Sequence, residues 1–574
     1  MIGFIDQKMA EVGKLIGMPT DPLKLFLTFI LSYPFCAVLK RLPDHTLVYK
    51  QVFCLVISLF YLLGIFDLWR GLIDLLVAAA VTYGLAKYFK SAVMPWLTFF
   101  FLMSHLMYNH VDRFFHPHEG VVDITGAQMV LVMKLTAFAW NIHDGHKKDS
   151  DLSPIQIDRA LKTLPPVLDY LTYVFFFPSL LVGPSFDFAE FQRWLDFTMF
   201  QAEATVPPSS GKPRRVHKRK IPRSGRVAAR KAIEGVIWIA LMVVLNSKGI
   251  TDQYLLTDSY RQRSFLYKAL FLWPLGFSLR LKYYGAWCLS EGACILSGLS
   301  YNGVDPVTHK RKWDRVRNIN IWAFESAQNF HVLLESWNMN TNKWLKYYVY
   351  LRVTPKGKKP GFRSTMATFA TSAFWHGVSP GYYLTFITGA FLQSTGRGCR
   401  RYIRPFFMSP DLSQPGPYKK YYDALTYVVS QLVLAYVAMP FVLLKLSDSI
   451  SLWKSIYFYA HVGTFVLLVT LSSKRVKKIL KSKLDARAQS VSKLDKLRYE
   501  IEQERTKQGL EKIIAAEEGA DMPSLGVPDE EIEDLIEDMG ADGRELLEGV
   551  NTLKRRATLV LEERRKAGLR TKKT

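Results

Sequence analysis

Charge is nearly absent from long stretches of this 574-residue chain, although the whole carries a formal net charge of +25. A soluble protein of this length can bury one large core or several. It has no need of apolar runs repeated through most of the chain, each long enough to cross a ~30 Å hydrocarbon layer. A water-soluble enzyme is therefore not the expectation. Cysteine is scarce as well. Cys36, Cys54, Cys288, Cys294 and Cys399 lie in or near apolar segments, with neither framework nor zinc-ligand spacing. That odd number and distribution argue against an extracellular disulfide fold and against a metal site. Also missing are a serine-centred nucleophile elbow, a glycine-rich phosphate loop and an H-E-x-x-H pair. Thr395-Gly396-Arg397-Gly398 has too few glycines at the spacing a phosphate loop needs. A hydrolase and a nucleotide-driven pump have little support.

What remains is hydrophobic: 49% of residues, gathered into runs. Candidate spans fall at 23–39, 46–66, 71–89, 93–108, 126–140, 167–183, 232–247, 264–279, 283–299, 364–393 in two pieces, 424–445 and 450–471. Lys24, Lys50, Lys134 and Lys268 sit in or beside these runs, and Pro34, Pro178 and Pro274 would bend them. Interrupted helices are tolerated in a membrane only where neighbouring protein satisfies the freed backbone groups. The expected fold is an all-α polytopic membrane protein of about eleven transmembrane or re-entrant helices. No removable signal peptide is expected at the N-terminus, because no small-residue cleavage site follows the first apolar run.

Charge divides the chain. Residues 1–22 form a mixed, membrane-proximal segment, 23–471 the multi-span body, and 472–574 a charged tail expected to be partly helical, partly disordered and cytosolic. Within the body, 212–231 (KPRRVHKRKIPRSGRVAARK) holds ten Lys or Arg and no acid. Flanked by a span, it reads as a cytosolic loop held by the positive-inside rule and drawn to anionic head groups. It lacks the interleaved aromatic platforms of a nucleic-acid site, so no nucleic-acid partner is expected. A direct part in binding an anionic substrate stays open.

Polar groups inside apolar runs are the informative ones, because each is costly unless paired or facing an internal cavity. His376, in FATSAFWHGVSPGYYLTF, is the sharpest case: no Asp, Glu, Lys or Arg occurs from Ser364 to Gly396. A histidine there is expected to be neutral, and a neutral imidazole can accept a proton. The competing reading is a histidine bonded to a neighbouring helix for packing. Upstream, NFHVLLESWNMNTNKWLKYYVYLR places Glu335, Asn338, Asn340 and Asn342 between aromatic residues that include Trp337 and Trp344. Asparagines can hold a substrate oxygen in a dry cavity without carrying charge; they can equally cap helices or tie them together. In KRKWDRVRNINIWAFE, Trp313, Arg315, Arg317 and Asn318 could contact an anionic group near the membrane surface, and a surface role without any ligand suits the two arginines as well.

SWNMNTNKWLKYYVYLR followed by AFWHGVSPGYY resembles the signature of the membrane-bound O-acyltransferase superfamily. Within it, DYLTYVFFFPSLLVGPSFDFAEFQRW (169–194) and KRKWDRVRNIN are similar to fungal lysophospholipid acyltransferases of broad head-group specificity. The likeness runs over roughly residues 20–475. It implies transfer of a fatty acyl group from acyl-CoA, as co-substrate, to a lysophospholipid in the endoplasmic reticulum membrane, with no tightly bound cofactor. By the same resemblance His376 is the catalytic histidine, Asn338 its paired asparagine, and Trp375 lies within the histidine motif. The remaining residues singled out above are candidates for contacts with substrate or acyl-CoA. CoA would arrive from the cytosol and the lysolipid from the bilayer, so the implied site is a catalytic chamber reached from both. A sterol, diacylglycerol or protein acceptor is the alternative within the superfamily. A transporter is the alternative outside it, although no internal repeat is evident.

Overall fold

The computed structural model describes residues 2–116, 122–205, 220–354, 361–409 and 412–489. Part of the basic loop (212–219) and most of the tail (490–574) lie outside them. The first half of the chain opens with α1 (Ile2–Ile16), α2 (Thr20–Leu39), α3 (Leu47–Leu59, continued by a π-turn to Ile65), α4 (Trp69–Tyr88), α5 (Met94–Phe115) and α6 (Thr125–Gly145). Three short helices follow: α7 (Pro154–Arg159), α8 (Val167–Val174) and α9 (Phe188–Leu195). Next come α10 (Gly225–Ser247), α11 (Asp258–Arg261) and α12 (Phe265–Ser297). The segment that carries the asparagines folds as α13 (Ile321–Glu325), α14 (Phe330–Ser336) and α15 (Met339–Leu345). The C-terminal group is α16 (Phe362–His376), α17 (Pro380–Tyr402), α18 (Lys419–Leu443), α19 (Leu446–Ser455), α20 (Tyr459–Ser472) and α21 (Lys474–Gln489). Among the described residues the only β-structure is two isolated bridges, Val304–Arg311 and Met408–Pro415.

The protein is all-α and polytopic. Among the described residues, four helices are long and apolar enough to cross a membrane: Thr20–Leu39, Leu47–Ile65, Trp69–Tyr88 and Lys419–Leu443. Leu446–Ser455 with Tyr459–Ser472, bent by 78°, makes a fifth if the pair is one broken span. On α3, Val48, Val52, Val56 and Leu59 recur at helical spacing and are exposed. Such a stripe would be an aggregation hazard in water and is at home against lipid tails.

Three candidate spans fold differently from their pattern. The runs 264–279 and 283–299 are one continuous helix of 33 residues, with Pro274 inside it. Residues 167–183 form only the eight-residue α8 before Phe177–Ser179 tightens into a 3₁₀ turn. At 1.5 Å per residue α8 rises ~12 Å, far short of a crossing. Pro178 ends the regular hydrogen bonding that the apolar composition alone would continue. The run 364–393 does divide in two, at Pro380, as its Pro-Gly pair indicates.

Small residues and paired charges hold the bundle. α10 and α12 meet at Gly235 and Gly285; a Cβ on Gly235 would come within 2.8 Å of Leu289 Cγ and 3.0 Å of the Gly285 carbonyl. Close approach of this kind gives helices van der Waals contact where lipid removes the hydrophobic driving force between them. Inside, Arg280 on α12 forks onto Glu325 through two bonds of 2.9 Å. Arg352 likewise binds Asp144 on α6 and lies 4.2 Å over the Trp140 ring. α6 is the central element, buried along almost its whole length.

Candidate active site

One face of α6 organises the site. Met129, Met133 and Thr136 follow one another at intervals of four and three residues, so they share a face. Trp375, next to His376, donates its indole N–H to the Met129 carbonyl at 3.0 Å. Thr341 on α15 reaches the Met133 sulfur at 3.3 Å, and Trp344 donates its N–H to the Thr136 hydroxyl at 2.8 Å. The end of α16 and the helix that starts after Asn338 thus rest on the same α6 surface. Trp344 and Trp375 complete the contact, with ring centres 6.0 Å apart.

His376 is the last residue of α16 and is half-buried. Its Nδ1 lies 2.6 Å from the Ser372 carbonyl. A carbonyl only accepts, so Nδ1 carries the proton and donates it, which leaves the Nε2 lone pair to accept. The ring is held by Trp375, Phe386 and Phe441 at 4.7, 4.8 and 5.1 Å, and Tyr382 lies at 5.8 Å. The chain then turns through Gly377 at φ +129°, and a Cβ there would come 3.2 Å from the His110 ring. His110 itself, buried on α5, lies 3.1 Å from the Trp375 carbonyl through Nε2. Sequence reading missed His110. It stands two residues past the apolar run 93–108, among Asn109, Asp112 and Arg113, where a polar residue does not stand out.

Asn338 caps α15 with φ 45° and ψ 51°, a left-handed conformation that asparagine tolerates better than most residues. Its Oδ1 accepts from the Thr341 hydroxyl at 2.8 Å, and its amide nitrogen has no hydrogen-bond partner among the described residues. The other asparagines serve the backbone. Asn318 accepts the Asn340 N–H at 3.2 Å, and its own carbonyl accepts the Met339 N–H at 2.8 Å. Asn340 donates to the Val316 carbonyl at 3.1 Å, and Asn342 to that of Trp337 at 2.9 Å. Together they hold the backbone on either side of Asn338.

The remaining candidates disperse. Trp337 packs in an aromatic box with Trp287 and Phe324, each 5.0 Å away. Glu335 pairs with His331 on its own helix at 3.3 Å. Trp313 is buried against Tyr301 at 5.4 Å, and Arg317 lies 3.8 Å from the buried Glu291. Arg315 belongs to the site's surroundings. It donates to the Tyr301 carbonyl at 2.7 Å, lies 3.5 Å from Glu190, and lines a small cavity beside Asn340 and Trp344.

That cavity also contains Arg159, Asp187 and Lys343, so three cations face two carboxylates. Arg159 meets Asp187 at 2.9 Å, and the Tyr348 hydroxyl lies 2.8 Å from the same carboxylate. Burial pushes Asp187 above the usual carboxylate range, with Arg159 opposing. Burial acts on Glu190 in the same sense, but Arg315 and Arg159 outweigh it and hold Glu190 below its ordinary value. The surplus cation suits an anionic ligand one helical turn from Asn338.

The sequence model of the membrane-bound O-acyltransferase family matches residues 113–439, from the last turn of α5 to the end of α18. The chain belongs to that family. The matched span contains α6, Asn338 and His376 together. Lysophospholipid acyltransferase of Schizosaccharomyces pombe is 42% identical over 531 residues, covering 92% of this chain and 99% of that protein. Lysophospholipid acyltransferase of Saccharomyces cerevisiae is 44% identical over 493 residues, 83% of this chain and 79% of that protein. Human membrane-bound glycerophospholipid O-acyltransferase 1 is 32% identical over 382 residues, 66% of this chain and 74% of its own. An O-acyltransferase of the membrane therefore replaces the transporter alternative.

Proposed function

We propose that this protein transfers a fatty acyl group from acyl-CoA to the free hydroxyl of a lysophospholipid, lysophosphatidylcholine and lysophosphatidylethanolamine foremost. The observation that carries the reading is the geometry of His376: Nδ1–H committed to the Ser372 carbonyl, Nε2 open, at a helix end set on the same α6 face as the helix of Asn338. The kinship with proteins named lysophospholipid acyltransferases supplies the acceptor class.

The thioester is already activated, so no acyl-enzyme is needed. The lysolipid hydroxyl oxygen attacks the thioester carbon while its proton passes to Nε2 of His376, a general-base contribution of ~10²–10⁴ in rate. The C–S bond then breaks, and the imidazolium returns the proton to the departing CoA sulfur. The uncommitted amide of Asn338 donates to the developing oxyanion or orients the acceptor oxygen. The basic cavity with Arg159, Arg315 and Lys343 faces the anionic parts of CoA. Excluding bulk water from the chamber limits thioester hydrolysis.

In this reading residues 23–471 are the catalytic body, with about eleven transmembrane or re-entrant helices around the chamber, in the endoplasmic reticulum membrane. The basic loop and the tail face the cytosol. Positive charge on the cytosolic face orients such a bundle.

The test is acyl transfer from oleoyl-CoA by purified protein across a panel of acceptors. Acylation of the two lysophospholipids is expected. Acylation of cholesterol or diacylglycerol alone would reject the acceptor class while leaving the family intact.

A further inference from the structure

A cavity of about 630 Å³ lies among α14, α17, α18 and α20. This is within the usual range of sites for small amphiphiles. It is remote from His376. α17 spans ~35 Å at 1.5 Å per residue; the histidine stands at its Pro380 end, and the cavity runs from Leu392 to Arg404 at the other. α18 is long and apolar enough to cross a membrane, and α20 is the second half of a bent pair that passes the same test, so the cavity lies beside helices suited to the bilayer.

Its two ends differ chemically. The wall along Val429, Val433 and Leu467 is apolar, and Val429 keeps 49% of its surface open. The rim carries Arg400, Arg404 and Lys419. Asp423 is the one acid among the described lining residues, and Lys419 already engages its carboxylate at 2.5 and 2.7 Å. Arg404 is exposed at this rim. An apolar slot closed at one end by guanidinium groups fits a lipid tail with an anionic head, because arginine matches phosphate oxygens in geometry as well as charge.

We propose that this cavity binds an anionic glycerophospholipid of the surrounding membrane, with its phosphate on Arg404 and an acyl chain along α18 and α20. The bound lipid acts as an effector, not as acceptor. Asn329, Phe330 and His331 line the cavity at the start of α14, and α14 ends at Ser336, with only Trp337 between it and Asn338. Occupancy fixes α14 and through it the turn that carries Asn338. The effector role rests on the proposed function, whereas the lipid binding does not.

Two variants address the cavity without touching the active site. A Cβ on Gly463 meets nothing within 4 Å, so Gly463→Leu starts from open space at the cavity wall and adds bulk there. Arg404→Gln removes charge from the rim. Full-length protein is placed in nanodiscs of phosphatidylcholine, with or without phosphatidylserine, and read by thermal unfolding, by native mass spectrometry of retained lipid, and by kcat. Phosphatidylserine is expected to raise the unfolding temperature, to be retained in preference to phosphatidylcholine, and to raise kcat several-fold. Both variants should keep the basal rate in pure phosphatidylcholine and lose all three responses. Undiminished responses in the variants, or equal retention of the two lipids, overturn the proposal. If Gly463→Leu does not fold, Arg404→Gln decides alone. Retention and thermal shift report on the site even if the acceptor is not a lysophospholipid, so failure of one reading is separable from failure of the other.

Discussion

Trp344 and Trp375 lie 6.0 Å apart and each sends its indole N–H into α6, one to the Thr136 hydroxyl and the other to the Met129 carbonyl. The two motifs that carry Asn338 and His376 are thereby fixed to one rigid surface, although they are separated by a segment that includes 355–360, outside the described residues.

His376→Ala is expected to lower kcat by at least ~10²-fold, the lower bound for a lost general base, while acyl-CoA affinity and unfolding temperature change little. A packing histidine would lose stability, yield and activity together. Retention of more than about a tenth of normal kcat in monodisperse variant protein returns His376 to a structural role.

Asn338 offers a cleaner separation of backbone from side chain than most asparagines. Glycine adopts the left-handed φ of 45° without strain, whereas alanine there costs ~1 kcal/mol or more. Asn338→Gly should therefore keep the unfolding temperature near that of the parent and still lose most of kcat. If Asn338→Gly is fully active, the amide takes no part in transfer.

Arg352→Ala leaves Asp144 buried at the end of α6 without its fork. Breaking a buried pair from one side costs ~3–5 kcal/mol, so a marked fall in unfolding temperature is expected. Adding Asp144→Leu should restore part of it, because the orphaned charge then disappears. A single variant as stable as the parent would show that water reaches the carboxylate.

The orientation can be checked with single cysteines placed at Ser209 and Ser524. In sealed microsomes both should react with an impermeant maleimide from outside without detergent. Labelling of only one would put the basic loop and the tail on opposite sides.

Much of this architecture is legible in the sequence because apolar runs, Pro-Gly breaks and isolated polar residues are local signals. The break at Pro380 and the histidine before it belong to that class. Pairings across the chain do not. Arg315 meets Glu190, and Arg352 meets Asp144, over separations that no local pattern encodes. The central place of α6 was hidden for the same reason: its composition matches any other apolar run, and only its partners distinguish it. The runs 264–279 and 283–299 mislead in the opposite sense, since they suggest two spans where packing carries one helix through. Asn318, Asn340 and Asn342 illustrate a subtler limit. Their residue type suits substrate binding and backbone support equally, and the backbone takes them.

A histidine that ends a helix stands at the negative pole of the aligned peptide dipoles. When the imidazole of His376 takes up a proton in the proposed reaction, the new cation lies at the carbonyl end of α16, and its Nδ1–H bond to Ser372 becomes charge-assisted. In that proposed reaction the backbone itself supplies counter-charge to the ion pair, and no carboxylate pairs with the histidine among the described residues. Such a site stays uncharged in the resting state, where a permanent acid would hold the ring protonated and idle.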